Sequence, residues 1–333
     1  MKKQILETAK LGFQWPMENP FLFCAHHKDH YPQGDEFLGV APKLHNRKLG
    51  SDFSGNDGYS MYHGTSVPGF PFHPHRGFET ITVTLDGVVD HFDSNGAYGR
   101  YGDGDVQWMT TGKGCLHAEM FPLVHSDKDN PLELFQIWLN LPAASKKAEP
   151  DYKMFWKEDI PVFRGNLVDV KVIAGNYEDL SAIASTPVSW ASNRENGVRI
   201  LLVHLQPGGV FTLEGVDAEV NRNLYYYQGN GTLQLEDEVL QPKYRAKLDS
   251  TQSLSMNATE EAWFLLLEAK PIHEPVYSYG PFVMNTREEV IQAYRDYEEN
   301  EFGGWPYPKS DPVHEKDAGR FARYPDGTLE TKS

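Results

Sequence analysis

Two histidines, His73 and His75, lie on either side of a proline in the stretch FHPHRGFE at residues 72–79. In a β-strand, residues i and i+2 point to the same face, so the two imidazoles can share one metal ion. The proline removes a backbone donor, which favours an edge or irregular strand. Taken alone, the pair is more often two hydrogen-bonded or solvated side chains than a metal site.

A second pair with the same spacing strengthens the metal hypothesis. His117 and Glu119 lie in the stretch GCLHAEM and face one way if this stretch is a strand. Together the two pairs supply three imidazoles and one carboxylate, a complete ligand set for a first-row divalent metal. An octahedral ion would keep two positions open for substrate or O₂. The alternative is a buried His117–Glu119 pair without a metal.

Three other groups of polar residues need an interpretation. Glu79 is a rival fourth ligand, because strand alternation would put it on the face of His73 and His75. His91 could support the ligands, although a structural hydrogen bond is the commoner role. His26, His27 and His30 have polar neighbours, which favours a solvated loop.

The elements that must position these residues are β-strands. Alternating or continuous apolar runs with β-branched residues, separated by turns such as Asp-Gly and Asn-Gly, are typical of an antiparallel sandwich or barrel. In the first half of the chain these runs are residues 80–85, 88–92, 106–110, 115–120 and 132–141. A second β-rich block follows the polar stretch AASKKAEP, with runs at 198–205, 223–228 and 262–267.

One helix is predicted near the carboxyl end, over residues 286–299. Asn285 and Glu288 have the spacing of a capping box, and apolar residues then recur at helical intervals. The stretch after Gly303 is rich in proline, glycine and charge, and it is either an ordered arm or a frayed end.

Composition limits the classes of function. The 333 residues carry a net charge of −16, which disfavours nucleic acid and anionic membranes as direct partners. Two cysteines, Cys24 and Cys115, cannot form a dense disulfide framework. The first residues lack the apolar core of a signal peptide, and no stretch is long enough to span a membrane. We therefore expect a cytoplasmic protein.

The motifs HPHRGFET and GDVQWMTTGKGCLHAE together resemble the paired metal-binding motifs of the pirin family, within the cupin superfamily. The carboxyl-terminal stretch from Glu274 to Tyr297 resembles the second barrel and closing helix of that family. The resemblance implies an all-β bicupin with a minor helix, in which two antiparallel β-barrels stack in one chain. The expected boundaries are 1–145 for a metal-binding barrel, with the first ~50 residues packed on it, and 146–333 for a barrel without metal.

The resemblance also implies the ligands and the metal. The four ligands of the family map onto His73, His75, His117 and Glu119, which leaves Glu79 as a supporting residue. The expected cofactor is one divalent metal ion, most often Fe(II), although other first-row metals fit the same ligands.

Two functions of different class are compatible with such a site. The first is a dioxygenase like quercetin 2,3-dioxygenase, acting with O₂ on a small aromatic substrate, with Glu119 as ligand and proton acceptor. Phe72, Phe78 and Trp108 are then candidate pocket walls, although core packing is their commoner role. The second is an iron-dependent, redox-sensing regulator that acts through protein partners.

Overall fold

The computed structural model describes residues 3–41, 44 and 46–333. The structure is built almost entirely from β-strands. The strands in chain order up to residue 155 are β1 Ile5–Lys10, β2 Phe21–Tyr31, β3 Gly69–His75, β4 Phe78–Asp86, β5 Val88–Asp93, β6 Tyr98–Gly102, β7 Val106–Thr110, β8 Cys115–Met120, β9 Asn130–Asn140 and β10 Asp151–Phe155.

The remaining strands follow the same order. They are β11 Val162–Arg164, β12 Val168–Ala174, β13 Asn176–Tyr177, β14 Leu180–Ser181, β15 Arg199–Leu205, β16 Val210–Leu213, β17 Asn221–Gly229, β18 Leu233–Leu235, β19 Glu238–Leu240, β20 Tyr244–Leu248, β21 Leu254–Ala258, β22 Ala262–Ala269, β23 Tyr277–Tyr279, β24 Phe282–Met284, β25 Arg320–Arg323 and β26 Leu329–Lys332. Short 3₁₀ helices lie at Asn56–Gly58, Trp190–Ser192, Arg194–Asn196 and Glu301–Gly303.

The described chain divides into two compact units. We call the unit formed by Ala25–Lys157 and Glu274–Ser333 the first barrel. We call the unit formed by the described part of Met1–Cys24 and by Glu158–His273 the second barrel.

The first barrel contains a five-stranded sheet in the order β10-β7-β4-β9-β2 and a six-stranded sheet in the order β26-β25-β6-β5-β8-β3. Antiparallel pairing of β3 with β8 sets His73 opposite His117, with a register shift between Phe70 and His73. On the other side of β8, β5 sets His91 opposite Glu119. The two motifs found in the sequence are therefore on neighbouring strands of one sheet.

The second barrel contains a seven-stranded sheet, β1-β20-β17-β22-β15-β12-β11, and a four-stranded sheet, β16-β21-β18-β19. Its core is apolar and draws on every strand of the four-stranded sheet and most of the larger sheet. The strand β1 belongs here because residues Ile5–Lys10 pair with β20.

This division differs from the expected boundary at residue 145 in two segments. The start of the chain joins the second barrel through β1, rather than packing as an extension on the first. The segment after His273 joins the first barrel because its strand β25 pairs with β6. Pairing between residues far apart in sequence decides both cases, and local patterns do not report it.

The helix α1 spans Arg287–Asn300, close to the predicted 286–299. Its cap is one residue later than predicted, because Thr286 and Glu289 form the capping box. Val290 and Ala293 bury the apolar side of α1 against Phe282 and Met284 of the hairpin formed by β23 and β24.

The placement of His26, His27 and His30 on a solvated loop is wrong, because all three lie on strand β2. Among the described residues, the structure has no helix with the length and apolar character of a membrane span.

Candidate metal centre

Three histidines converge inside the first barrel. One ring nitrogen of each of His73, His75 and His117 lies within 4.8 Å of one ring nitrogen of each of the others. The ring centroids are 4.4 Å apart for His73 and His117 and 5.0 Å apart for His75 and His117. The pairing of β3 with β8 produces this cluster, since alternation turns all three side chains to the same face.

Backbone carbonyls set the tautomers of two of these imidazoles. Nδ1 of His73 lies 2.9 Å from the carbonyl oxygen of Pro71, and Nδ1 of His75 lies 3.4 Å from that of Pro281. A carbonyl oxygen can only accept, so each Nδ1 carries the hydrogen and each Nε2 keeps its lone pair. Metal-binding histidines in proteins are oriented by the same kind of contact.

His117 is completely buried, and neither of its ring nitrogens has a hydrogen-bond partner. An unsatisfied buried polar group is costly, so a fully buried imidazole without partners calls for an explanation. A coordinated cation would supply the missing partner for one of its nitrogens. The ligand types and this unsatisfied ring both fit a first-row divalent metal.

All three imidazoles are held in the neutral form that binds metals. Burial lowers the pKa of His73 to about 4, and it lowers the pKa values of His75 and His117 well below the usual range. His73 also lowers the pKa values of His75 and His117, and His75 lowers that of His117, because two positive charges would repel each other at this distance.

Glu119 lies beside this cluster rather than inside it. Its Oε2 is 3.9 Å from Nε2 of His117. Gln136 donates from Nε2 to Oε2 at 2.7 Å, and Thr82 donates to Oε1 at 3.0 Å. Burial raises the pKa of Glu119, although His91 and the two hydrogen bonds act in the opposite direction. The result is a buried carboxylate whose two oxygens are both held in place.

Glu79 does not lie on this face. Alternation along β4 separates Glu79 from Thr82, and Glu79 accepts hydrogen bonds from Nε1 of Trp108 at 3.0 Å and from the hydroxyl of Thr110 at 2.7 Å. The expectation that strand alternation puts Glu79 with the histidines is wrong. The turn at Gly77, where φ is +87°, interrupts the alternation between β3 and β4.

The candidate wall residues lie in different places, and only Phe78 borders the histidine cluster. Phe78 and Trp138 border His75, with ring centroids at 5.0 and 5.3 Å. Trp108 lies instead on the Glu79 face. Phe72 stacks on Trp305 at 5.1 Å.

His91 is completely buried, and its ring centroid lies 5.7 Å from that of His117. Its Nε2 is 3.4 Å from a carboxylate oxygen of Asp93, and its ring stacks on Tyr152. His91 is close enough to His117 to support the candidate ligands, and it also forms a hydrogen bond within its own strand. Its position is therefore compatible with both the supporting role and the structural role.

Three residues near the candidate ligands were not predicted from the sequence: Thr82, Gln136 and Trp138. Thr82 lies on β4 and the other two lie on β9, and their side chains contact Glu119 or His75. A polar residue at an inward position of a buried strand is a signal that could have identified Thr82 and Gln136.

The hairpin after His273 completes the surroundings of His75. Pro281 at its tip receives the His75 hydrogen bond, and the backbone nitrogen of Val283 donates to the carbonyl oxygen of Arg76 at 3.0 Å. Arg76 forms an ion pair with Asp296 of α1 at 2.6 Å. Residues more than 200 positions away thus hold the strand end that carries a candidate ligand.

Comparison with known proteins identifies related chains. The family model described as Pirin matches residues 7–139, and the model described as Pirin C-terminal cupin domain matches residues 200–303. A Pseudomonas aeruginosa protein provisionally named quercetin 2,3-dioxygenase is 38% identical over 233 residues, which covers 69% of this chain and 79% of the relative. A pirin-like protein of Caulobacter vibrioides is 36% identical over 248 residues, which covers 74% of this chain and 84% of the relative.

A solved structure shares the whole architecture. The crystal structure of quercetin 2,3-dioxygenase from Acinetobacter baumannii aligns with a TM-score of 0.72 and 27% identity, covering 91% of this chain and 99% of that one. The predicted fold of two cupin barrels is confirmed by this match and by the two family models.

Proposed function

This chain belongs to the pirin family, and from that premise we propose that it is a metal-dependent dioxygenase acting on flavonols or similar enolisable aromatic substrates. The observation that carries the proposal is the group of three neutral imidazoles beside the buried carboxylate of Glu119. The names of the P. aeruginosa relative and of the A. baumannii structure support the same reaction.

His73, His75, His117 and Glu119 would hold the metal. Lone pairs on Nε2 of His73 and His75 follow from their hydrogen bonds to carbonyl oxygens. We propose Fe(II) as the metal, because imidazole and carboxylate ligands suit it and because the reaction uses O₂. When bound, the ion would lower the pKa of a coordinated hydroxyl and promote reaction of the resulting oxyanion with O₂.

Glu119 is the proton acceptor in this proposal. A carboxylate within reach of a metal-bound hydroxyl can take its proton, so Glu119 can serve as the base for the 3-hydroxyl of a flavonol. Thr82 and Gln136 keep both carboxylate oxygens in fixed positions, so the proton acceptor is oriented before the substrate arrives. Reaction of the substrate oxyanion with O₂ then opens the central ring of the flavonol. The products are carbon monoxide and an ester that contains the rest of the substrate.

Apolar side chains limit the access of water to this region. Phe78 is completely buried, and its ring packs against Trp138 at 4.2 Å, next to His75. Exclusion of water strengthens the electrostatic effect of each charged group on the reacting atoms.

The proposal is tested by O₂ uptake and carbon monoxide release from quercetin by anaerobically iron-loaded protein. We expect turnover by the native chain and only background for His73→Ala. Equal rates for the two proteins would contradict the proposal for flavonols. Parallel loading with Mn, Co, Ni, Cu and Zn identifies the metal that supports the reaction.

A further inference from the structure

His73 is the most accessible of the three clustered histidines. His75 is only 5% exposed and His117 is completely buried, whereas His73 is partly exposed. A substrate that reaches the cluster from solvent would therefore contact His73 and the side chains packed beside it.

An aromatic surface lies next to His73. The ring of Phe70 is 6.2 Å from that of His73, and the ring of His63 is 5.7 Å from that of Phe70. Phe53, which is 48% exposed, packs its ring 5.2 Å from that of His63. We call Phe53, His63 and Phe70 the aromatic rim. The charge that His63 can carry is one of the causes that lower the pKa of His73, so the two imidazoles are within electrostatic range.

The loop that carries His63 is firmly anchored. Tyr62 has a φ of +55°, which is uncommon for a bulky residue and indicates that the surroundings hold it. Its backbone nitrogen and oxygen both bond to Asp52, and its hydroxyl donates to Asp29 at 2.7 Å. The Tyr62 ring also stacks on Phe70 at 5.1 Å. These contacts fix the position of the next residue, His63.

The exposed imidazole of His63 forms a hydrogen bond that fixes which of its nitrogens is the acceptor. Its Nδ1 lies 2.9 Å from the carbonyl oxygen of Gly50, which can only accept, so Nδ1 carries the hydrogen. Nε2 of the neutral ring then holds the lone pair. An aromatic rim whose exposed histidine offers one acceptor nitrogen has the chemistry to contact a flat aromatic ring and to accept a hydrogen bond from its hydroxyl.

We infer that His63 is a substrate-positioning residue, whose Nε2 accepts a hydrogen bond from a hydroxyl on the pendant ring of a flavonol while Phe53 and Phe70 contact that ring. The inference rests on the proposed function, since it assumes that the flavonol's other end is at the metal centre. It predicts that the protein prefers flavonols with a hydroxyl on the pendant ring, far from the reacting atoms.

The test measures equilibrium binding rather than turnover. Anaerobic iron-loaded protein is titrated with quercetin and with the analogue that lacks both hydroxyls on the pendant ring, and the flavonol absorption band is followed. We expect His63→Phe to raise the Kd for quercetin about three- to tenfold, since one neutral hydrogen bond is lost. The Kd for the analogue should change by less than about twofold. His63→Gln, which keeps an acceptor, should restore most of the affinity for quercetin.

Two further variants serve as comparison and control. Phe53→Ala should raise the Kd of both flavonols by the same factor, because it removes a ring contact but no hydrogen-bond acceptor. Phe37→Ala removes an aromatic side chain that is 70% exposed and lies outside the rim, and it should change neither Kd. The metal content of each variant is measured first.

Equal weakening of both flavonols by His63→Phe, or no recovery with His63→Gln, would overturn the inference alone. A native protein that binds flavonols but releases no carbon monoxide would refute the proposed reaction and leave the binding result valid. A native protein that binds neither flavonol would overturn both.

Discussion

The two barrels of this chain share an architecture but differ in what fills them. The second barrel has an apolar interior that includes Val203, Leu224, Phe264 and Leu266. The first barrel gives part of its interior to three histidines, a glutamate, a threonine and a glutamine. It also contains an apolar cluster around Tyr101, Phe121 and Leu134.

The difference shows that the candidate metal centre is a property of particular inward positions and not of the fold. Burying Glu119 and the three imidazoles costs free energy that an apolar side chain would not cost. The first barrel offsets part of that cost with hydrogen bonds to Glu119, His73 and His75, and a bound metal would supply a partner for His117. In the second barrel, His204 stacks on Trp263 and bonds to Glu261 without reaching the interior cluster.

The largest expected effect is loss of the metal. His117→Ala should weaken metal binding more than about 100-fold, beyond the range for residues that only support a ligand. Metal content after dialysis should fall to background by elemental analysis. His204→Ala in the second barrel is the matched control and should keep a full equivalent. A full equivalent in His117→Ala would refute the site.

The apolar interior of the second barrel can be tested with a cavity. Leu266 is completely buried, so Leu266→Ala should lower the free energy of unfolding by about 2–5 kcal/mol in denaturant titrations. Val239→Ala, at a position that is 46% exposed, should cost less than about 0.5 kcal/mol. The metal content of folded Leu266→Ala should be unchanged. A cost below about 1 kcal/mol would contradict the close packing of this core.

The first barrel should be sensitive to acid when metal is removed. The pKa of His73 is about 4 in the folded state and 6.5 in the reference state, so the unfolded chain binds more protons between these values. Stability is therefore complete above pH 6.5 and falls as the pH is lowered through 4, by at most about 3 kcal/mol for His73. The fall in unfolding free energy should be shallower in metal-free His73→Gln. Identical slopes for the two proteins would refute this assignment.

The smallest effect concerns a residue that only orients Glu119. Gln136→Leu removes the donor to Oε2 and should weaken metal binding about 10- to 100-fold. Competition with a chelator of known affinity measures the change. Gln234→Leu, on β18 of the second barrel, is the matched control and should leave the affinity unchanged. A change below about threefold in Gln136→Leu would show that the hydrogen bond does not support a ligand.

Several features were accessible from local patterns. The strands β7 and β8 have the predicted bounds, and α1 differs from its prediction by one residue at each end. The pairs His73–His75 and His117–Glu119 were found from their spacing alone. Local patterns succeed here because strand alternation and helix capping depend on neighbouring residues.

The errors have two causes, a turn between neighbouring strands and pairing between distant ones. Glu79 was assigned to the histidine face by counting in twos across Gly77, where the chain turns. The start of the chain and the segment after His273 were assigned to the barrels nearest in sequence, although β1 and β25 pair elsewhere. Distant pairing has no signature within the segment itself, so a single sequence cannot reveal it.

The sequence by itself determined the types of the candidate ligands, their order and the faces of their strands, because side-chain chemistry and two-residue alternation are local. Only the tertiary structure decided that His73 is opposite His117, that Thr82 and Gln136 hold Glu119, and that Pro281 orients His75. It also placed the ring of His63 beside Phe70, whose ring borders His73. Each of these contacts joins segments that pairing and packing bring together in space, and pairing and packing depend on the whole fold.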